Sequence, residues 1–174
     1  KPFTNTSAQA DELIALAKEK GKILSVYHNL RFNSDFRTLQ EVVKDERLGV
    51  IKNFEVRYDR FRNYLRPNAW REANLPGSGI FYDLGAHLID QTLQLFGRPD
   101  SVFADLTIQR PGAGAIDNFE LLLYYPGMRV SLKGGMLAKE PTPRYTIFAM
   151  NGNFLKNGAD PQEELLRAGA FPDE

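Results

Sequence analysis

The chain has 174 residues, 43% of them hydrophobic, with 22 basic and 22 acidic side chains that cancel and no cysteine. That length buries a real core and fits one domain, or one domain with a piece of another, while the neutral balance argues against nonspecific nucleic-acid or anionic-membrane binding, both of which need a positive field. No disulfide framework is possible, and with no apolar run near 18 residues and no signal-peptide pattern a soluble, cytoplasmic protein is expected, with no membrane partner.

Residues 6 to 20 read as an amphipathic helix, with Ala10, Leu13, Ile14, Leu16 and Ala17 near one face, Thr6 or Ser7 as cap and Gly21 as stop. Lys22 to Tyr27 follows as a short apolar run, the pattern of a buried strand, so helix and strand together form half of an α/β unit. Asn33 or Ser34 caps a second helix over 34–49, with Phe36, Leu39, Val42 and Val43 inward. From Ile51 to Tyr64 the period changes to two and predicts one long strand that puts Phe54, Val56 and Tyr58 on one side, ended by Pro67.

Gly77 to Gly97 reads as a largely buried helix without Lys, Arg or Glu. At ~100° per residue, Ile80, Phe81, Leu84, Leu88, Ile89, Leu93, Leu95 and Phe96 cover most of its circumference, and the remaining sector holds Asp83, His87, Asp90, Gln91 and Gln94. Gly77 and Gly79 suit a flexible lead-in to the helix and Gly85 a close backbone approach. Strands are expected at 101–109, 117–125 and 128–135, the last two joined at Pro126-Gly127. A hairpin over 144–150 and 153–156 turns at Asn151-Gly152, and a closing helix covers 161–168. The sum is an α+β fold, an open mainly antiparallel sheet with helices on one face. Its uncovered face should pair with a second copy, giving a homo-oligomer.

Short acids, one imidazole and amides on an otherwise apolar helix suit a confined polar pocket rather than a solvated face. Asp83 and His87, four apart, leave the same helix face, where a carboxylate supports the protonated form of a general acid/base histidine; a satisfied core histidine is the competing reading. A metal site is not expected, because two histidines and no cysteine leave too few ligands. Five arginines between Arg57 and Arg71 alternate with aromatics but fall on both sides of a strand, which disfavours single-stranded nucleic acid. Arg62 and Trp70 are better read as contacts to oxygens of a small polar substrate, against ordinary ion pairing to Asp59 and Glu72. The segment PGAGAID at 111–117 lacks the third glycine and the following helix of a dinucleotide fingerprint, and neither a P-loop nor a nucleophile elbow is present.

Lys1-Pro2, SVYHNLRF at 25–32 and GSGIFYDLGAHLIDQ at 77–91 together resemble the glucose-fructose oxidoreductase / inositol dehydrogenase family (Gfo/Idh/MocA). YHN at 27–29, YDLG at 82–85, HLIDQ at 87–91 and NGADPQEE at 157–164 are most similar to the branch containing NADP-dependent scyllo-inositol dehydrogenases. The resemblance implies a remnant of a Rossmann domain at 1–27 and an α+β substrate-binding and oligomerisation domain at 28–174. It also implies a chain cut from a longer protein, without the glycine-rich cofactor loop and inactive by itself. It implies Lys1, Asp83 and His87 as the catalytic group, with Tyr27, His28 and Asn29 among the substrate contacts and Arg31 against the cofactor. The implied reaction is hydride transfer between NADP or NAD and a polyol or sugar-like hydroxyl. The alternative is a non-catalytic ligand-binding or oligomerisation module.

Overall fold

Alternation of inward and outward side chains, with apolar residues at the inward positions, builds the sheet. In β3 (Asn118–Tyr125) Phe119, Leu121 and Leu123 are buried, while Glu120, Leu122 and Tyr124 point the other way. The same holds for Phe54 and Val56 in β1 (Ile51–Arg57), Val130 and Leu132 in β4 (Met128–Gly135), and Tyr145 and Ile147 in β5 (Tyr145–Ala149). With β2 (Ser101–Thr107) and β6 (Gly152–Lys156) they form a six-stranded sheet of order β2-β3-β4-β1-β5-β6. Only β1 and β4 run parallel; the other neighbours are antiparallel. This computed structural model describes residues 2–140, 142–158 and 160–170.

Two helices cover one face. Phe36 and Leu39 of α2 (Ser34–Lys44) and Leu88 of α3 (Ala86–Phe96) are fully buried against the inward residues of β1, β3, β4 and β5. The Pro126-Gly127 and Asn151-Gly152 turns join β3 to β4 and β5 to β6 as expected. The opposite sheet face is bare, leaving Phe103, Tyr124, Phe148 and Leu155 at least 40% exposed. Among the described residues no helix is long and apolar enough to cross a membrane.

Three expectations change. α1 (Ser7–Glu19) forms with a complete capping box at Thr6 and Gln9 but buries no residue, and Lys22–Tyr27 forms no strand. Ile23 is 99% exposed: the run pairs with no described strand, and an apolar run becomes part of a sheet only through a hydrogen-bonded edge. The long strand over 51–64 stops at Arg57. Beyond it Tyr58, Arg60 and Arg62 still donate backbone hydrogen bonds to Lys133, Gly135 and Met136, but with irregular register and only an isolated bridge at Phe61–Leu137. The second helix ends at Lys44 and passes into a separate 3-10 turn at Glu46–Leu48.

α4 (Pro161–Arg167) is fastened by one carboxylate. Asp160 accepts from Gln162 N at 3.0 Å, as the N-cap of α4, and from Ser34 N and Ser34 Oγ at 2.8 Å each, at the start of α2, whose own cap residue Asn33 makes no side-chain cap bond. Burial pushes this carboxyl upward, but the hydrogen bonds from Ser34 and Gln162, with the Lys156 charge, outweigh it and hold Asp160 below the usual carboxylate range.

Gly79 has φ +85°, and a Cβ there would sit 2.7 Å from the Ile116 carbonyl oxygen that accepts from Ile80 N. Gly79→Ala should therefore cost about 2 kcal/mol or more in chemical denaturation, from left-handed strain plus overlap; a loss below about 0.5 kcal/mol contradicts this account of the turn. Asp160→Asn should cost about 1–2 kcal/mol near pH 7, because an amide nitrogen cannot accept the bond that Ser34 N donates. Because the folded carboxyl titrates below its unfolded counterpart, its stabilisation is complete above the unfolded value of about 3.9 and disappears as pH falls through the folded one. Melting curves of wild type and variant should thus converge only in that acid range, and a gap persisting there contradicts the assignment.

Candidate active site

The helix read from Gly77 to Gly97 is not uniform. Phe81–Gly85 is a π-helical turn, and α3 proper starts at Ala86. Gly79 supplies the backbone conformation that leads into this turn. Gly85 lets the Phe81 ring close over it, where a Cβ would meet Phe81 Cδ2 at 2.9 Å, and Phe81 packs edge-on to Phe119 with ring centroids 5.5 Å apart. The π turn carries Asp83 and the first turn of α3 carries His87, so the wide turn sets where the carboxylate sits relative to the imidazole.

Both line a cleft of about 460 Å³, with Tyr27, Asn29, Leu30, Phe32 and Asn33 on one side, Tyr58 and Arg60 on the sheet side, and Gln162, Glu163 and Leu166 of α4 across the opening. His87 is only 4% exposed, and its ring meets that of His28 edge-on with centroids 5.9 Å apart. The Asp83 carboxylate is 24% exposed, with Arg71 Nε 3.6 Å away.

Beside the cleft, Arg31 holds Asp90 through Nε (2.7 Å) and a second guanidinium contact, and His28 Nδ1 lies 3.8 Å from the same carboxylate. The Tyr145 hydroxyl donates to Gln91 Oε1 (3.2 Å), and Gln91 Nε2 donates to the Leu30 carbonyl (3.2 Å). These contacts set α3 against both the sheet and the segment after His28. Burial pushes the Tyr145 hydroxyl up to about 12, so it remains a donor throughout the ordinary pH range.

The residues expected from sequence therefore divide. Asp83, His87, Tyr27 and Asn29 meet in the cleft. His28 and Arg31 stand behind it on Asp90. Arg62 and Trp70 are not brought there: Arg62 is 3.7 Å from Glu72, which also takes Arg66 and Arg110, and Trp70 is exposed with the Arg71 guanidinium 4.8 Å over its ring. Lys1 lies outside the described residues. Among the described residues no group of three or more His, Asp or Glu side chains is arranged to hold a metal ion. Tyr58, Arg60 and the α4 side chains were not anticipated. The signal for the first two was the strand itself, since residues just past the end of a central strand lie at the rim of a sheet. The Asp160-Pro161 cap and first helical position marked α4 as a helix but not its place over the cleft.

Comparison with known proteins agrees with this fold. The family model for the GFO/IDH/MocA C-terminal domain matches residues 36–155. Over 97% of its length the chain is 50% identical to the uncharacterized oxidoreductase YdgJ of Escherichia coli, covering 49% of that protein. Over its whole length it is 41% identical to the scyllo-inositol 2-dehydrogenase (NADP(+)) IolW of Bacillus subtilis, covering 48% of it. The solved structure of the putative oxidoreductase yvaA from Bacillus subtilis superimposes with a TM-score of 0.90 at 39% identity, over 100% of this chain and 49% of that one. The chain thus spans about half the length of the curated relatives it matches. An α+β sheet with this helix pairing, a family profile over most of its strands and dehydrogenases among its relatives settle the assignment: the chain belongs to the GFO/IDH/MocA oxidoreductase family and carries its C-terminal domain.

Proposed function

We propose that the intact protein is an NAD(P)-dependent dehydrogenase of a polyol or sugar-like hydroxyl, and that this chain supplies its substrate pocket and proton acceptor. The observation that carries the reading is that Asp83 and a nearly buried His87 line one cleft of a size suited to a small molecule. The residues present suit a nicotinamide at its reactive end only: the cleft offers an imidazole and a carboxylate, whereas the described residues include no G-x-G-x-x-G run between a strand and a helix to hold a pyrophosphate. When bound, the cofactor supplies the hydride chemistry.

The chain's own residues manage the proton. An imidazole nitrogen of His87 takes the proton of the reacting hydroxyl, and the nearby Asp83 carboxylate favours the resulting imidazolium. Asn29 and Tyr27 orient further hydroxyls, and Lys1, retained from the family likeness, supplies a cation for the developing alkoxide. We further propose that residues 1–27 complete a neighbouring Rossmann unit. The exposed apolar face of α1 (Leu13, Ile14 and Leu16 each at least 41% exposed) and the uncovered Ile23 support this, since both need a partner surface. The bare sheet face is proposed to pair with a second copy.

His87→Gln in the intact protein should lower kcat about 10²- to 10⁴-fold in NADP-linked assays with inositols and hexoses, and Asp83→Asn should lower it in the same direction. Unchanged turnover in both variants removes the proposed proton transfer. Light scattering of the wild type should give a dimer or larger species, and the double change Phe103→Glu with Phe148→Glu should shift it toward monomer. A wild type that stays monomeric at high concentration refutes the pairing.

A further inference from the structure

We propose that Arg60 anchors a negatively charged group at the end of the substrate remote from the reacting carbinol, so that the cleft takes a hydroxylated small molecule bearing a carboxylate or a phosphate. The inference rests on the dehydrogenase reading above and names the substrate class within it.

The stretch from Arg57 to Arg71 contains five arginines, and four are paired: Arg57 with Asp59 (2.6 Å), Arg62 and Arg66 with Glu72 (3.7 and 3.3 Å), and Arg71 with Asp83 (3.6 Å). Arg60 has no carboxylate partner among the described residues, and its guanidinium lies 5.6 Å from the centroid of the Tyr58 ring. Its backbone is fixed on both sides, Arg60 N donating to Gly135 O at 2.9 Å and Arg60 O accepting from Ala138 N at 3.1 Å. The one unneutralised guanidinium of the stretch is therefore held at the wall of the cleft that contains Asp83 and His87.

None of the acids lining that cleft is within salt-bridge distance of the Arg60 guanidinium: Asp83 faces Arg71, Glu163 is bonded to Arg167, and Asp160 keeps its charge on neutral donors from Ser34 and Gln162, with the Lys156 charge acting on it. Behind Tyr58 a second concavity of about 350 Å³ shares Arg60 and adds Arg57, Lys139 and Arg144 against Asp59 and Glu140. Asp59 is already engaged by Arg57 and Thr142, and the Arg144 guanidinium lies 3.8 Å over the Tyr58 ring. Arg144 is paired with Asp35 (3.8 Å), so on the wall between the two concavities Arg60 is the guanidinium without a carboxylate among the described residues, in a partly buried setting where charge complementarity counts for more than in open water. A guanidinium presents a planar fork of donors that matches a carboxylate or a phosphate bidentately. An uncharged polyol would leave the Arg60 guanidinium without an anionic partner.

The test uses the intact protein and reads binding rather than turnover. Glucuronate, glucose phosphate and glucose are titrated calorimetrically into wild type, Arg60→Gln and Arg60→Lys. At least one anion should bind wild type about 10-fold tighter than glucose, a ratio that should fall about 10-fold in Arg60→Gln and in part in Arg60→Lys. Which anion leads distinguishes carboxylate from phosphate. A ratio near one in wild type, a ratio unchanged in Arg60→Gln, no binding of either anion at millimolar concentration, or a preference abolished by saturating NADP, which would assign Arg60 to the cofactor, each overturns the proposal. A variant that misfolds loses all three probes together and leaves a distinct signature; Arg60→Lys then decides. Because no probe is turned over, failure here is separable from failure of the His87 variants.

Discussion

The buried polar side chains of a packed helix must be satisfied from within the protein, and Asp90, Gln91 and Thr92 of α3 meet that constraint through specific partners. Thr92 Oγ1 returns its proton to the Leu88 carbonyl of the preceding turn (2.8 Å). Gln91, 2% exposed, spends its amide on the Tyr145 hydroxyl and the Leu30 carbonyl, and Asp90 is closed off by Arg31. A buried polar group without a partner costs about 1–3 kcal/mol, so these bonds act less as added stability than as a condition on where α3 can sit. Sheet, helix and the segment after His28 are thereby locked in one arrangement, and the cleft is the space left between them.

The π turn belongs to the same arrangement. Wide turns are rare because they give up helical hydrogen-bond geometry, and they persist where surrounding packing over-determines them. Here two glycines admit it, one through its positive φ and one through the missing Cβ under Phe81, and the Phe81–Phe119 contact ties it to β3. The turn carries Asp83, so the position of that carboxylate in the cleft depends on a packing interaction with the middle of the sheet.

The amino-acid pattern disclosed what is local. Alternation in 118–125, Phe54 and Val56 facing inward, the two glycine-containing hairpins and the polar sector of α3 all follow from period and turn chemistry, and the structure keeps them. What the pattern concealed depends on distant partners. Lys22–Tyr27 has the side chains of a strand, but a ladder also needs an edge, and hydropathy does not report one. The wide turn at 81–85 was invisible because a π turn and an α turn share composition. Arg62 was drawn away from the cleft by Glu72, and Asp160 reaches Ser34 across a separation of 126 residues; neither partnership leaves a periodic trace.

That last class of contact also explains how a chain of zero net charge holds a polarised cleft. Glu72 lies within salt-bridge distance of Arg62, Arg66 and Arg110, and Arg110, 4% exposed, is bonded to the buried Asp117 and to the Tyr64 carbonyl. Ion pairs removed from water gain little net stability, because desolvation offsets their attraction, but breaking one leaves a charge stranded, so they fix geometry strongly. The loop from Tyr58 to Gly79 is held in this way, with its acids and most of its arginines cancelled locally. Charge cancelled in pairs contributes little field beyond the pair. In this loop the arginine left out of that pairing is Arg60, and at the wall of the cleft its charge acts together with those of Asp83, Asp160 and Glu163.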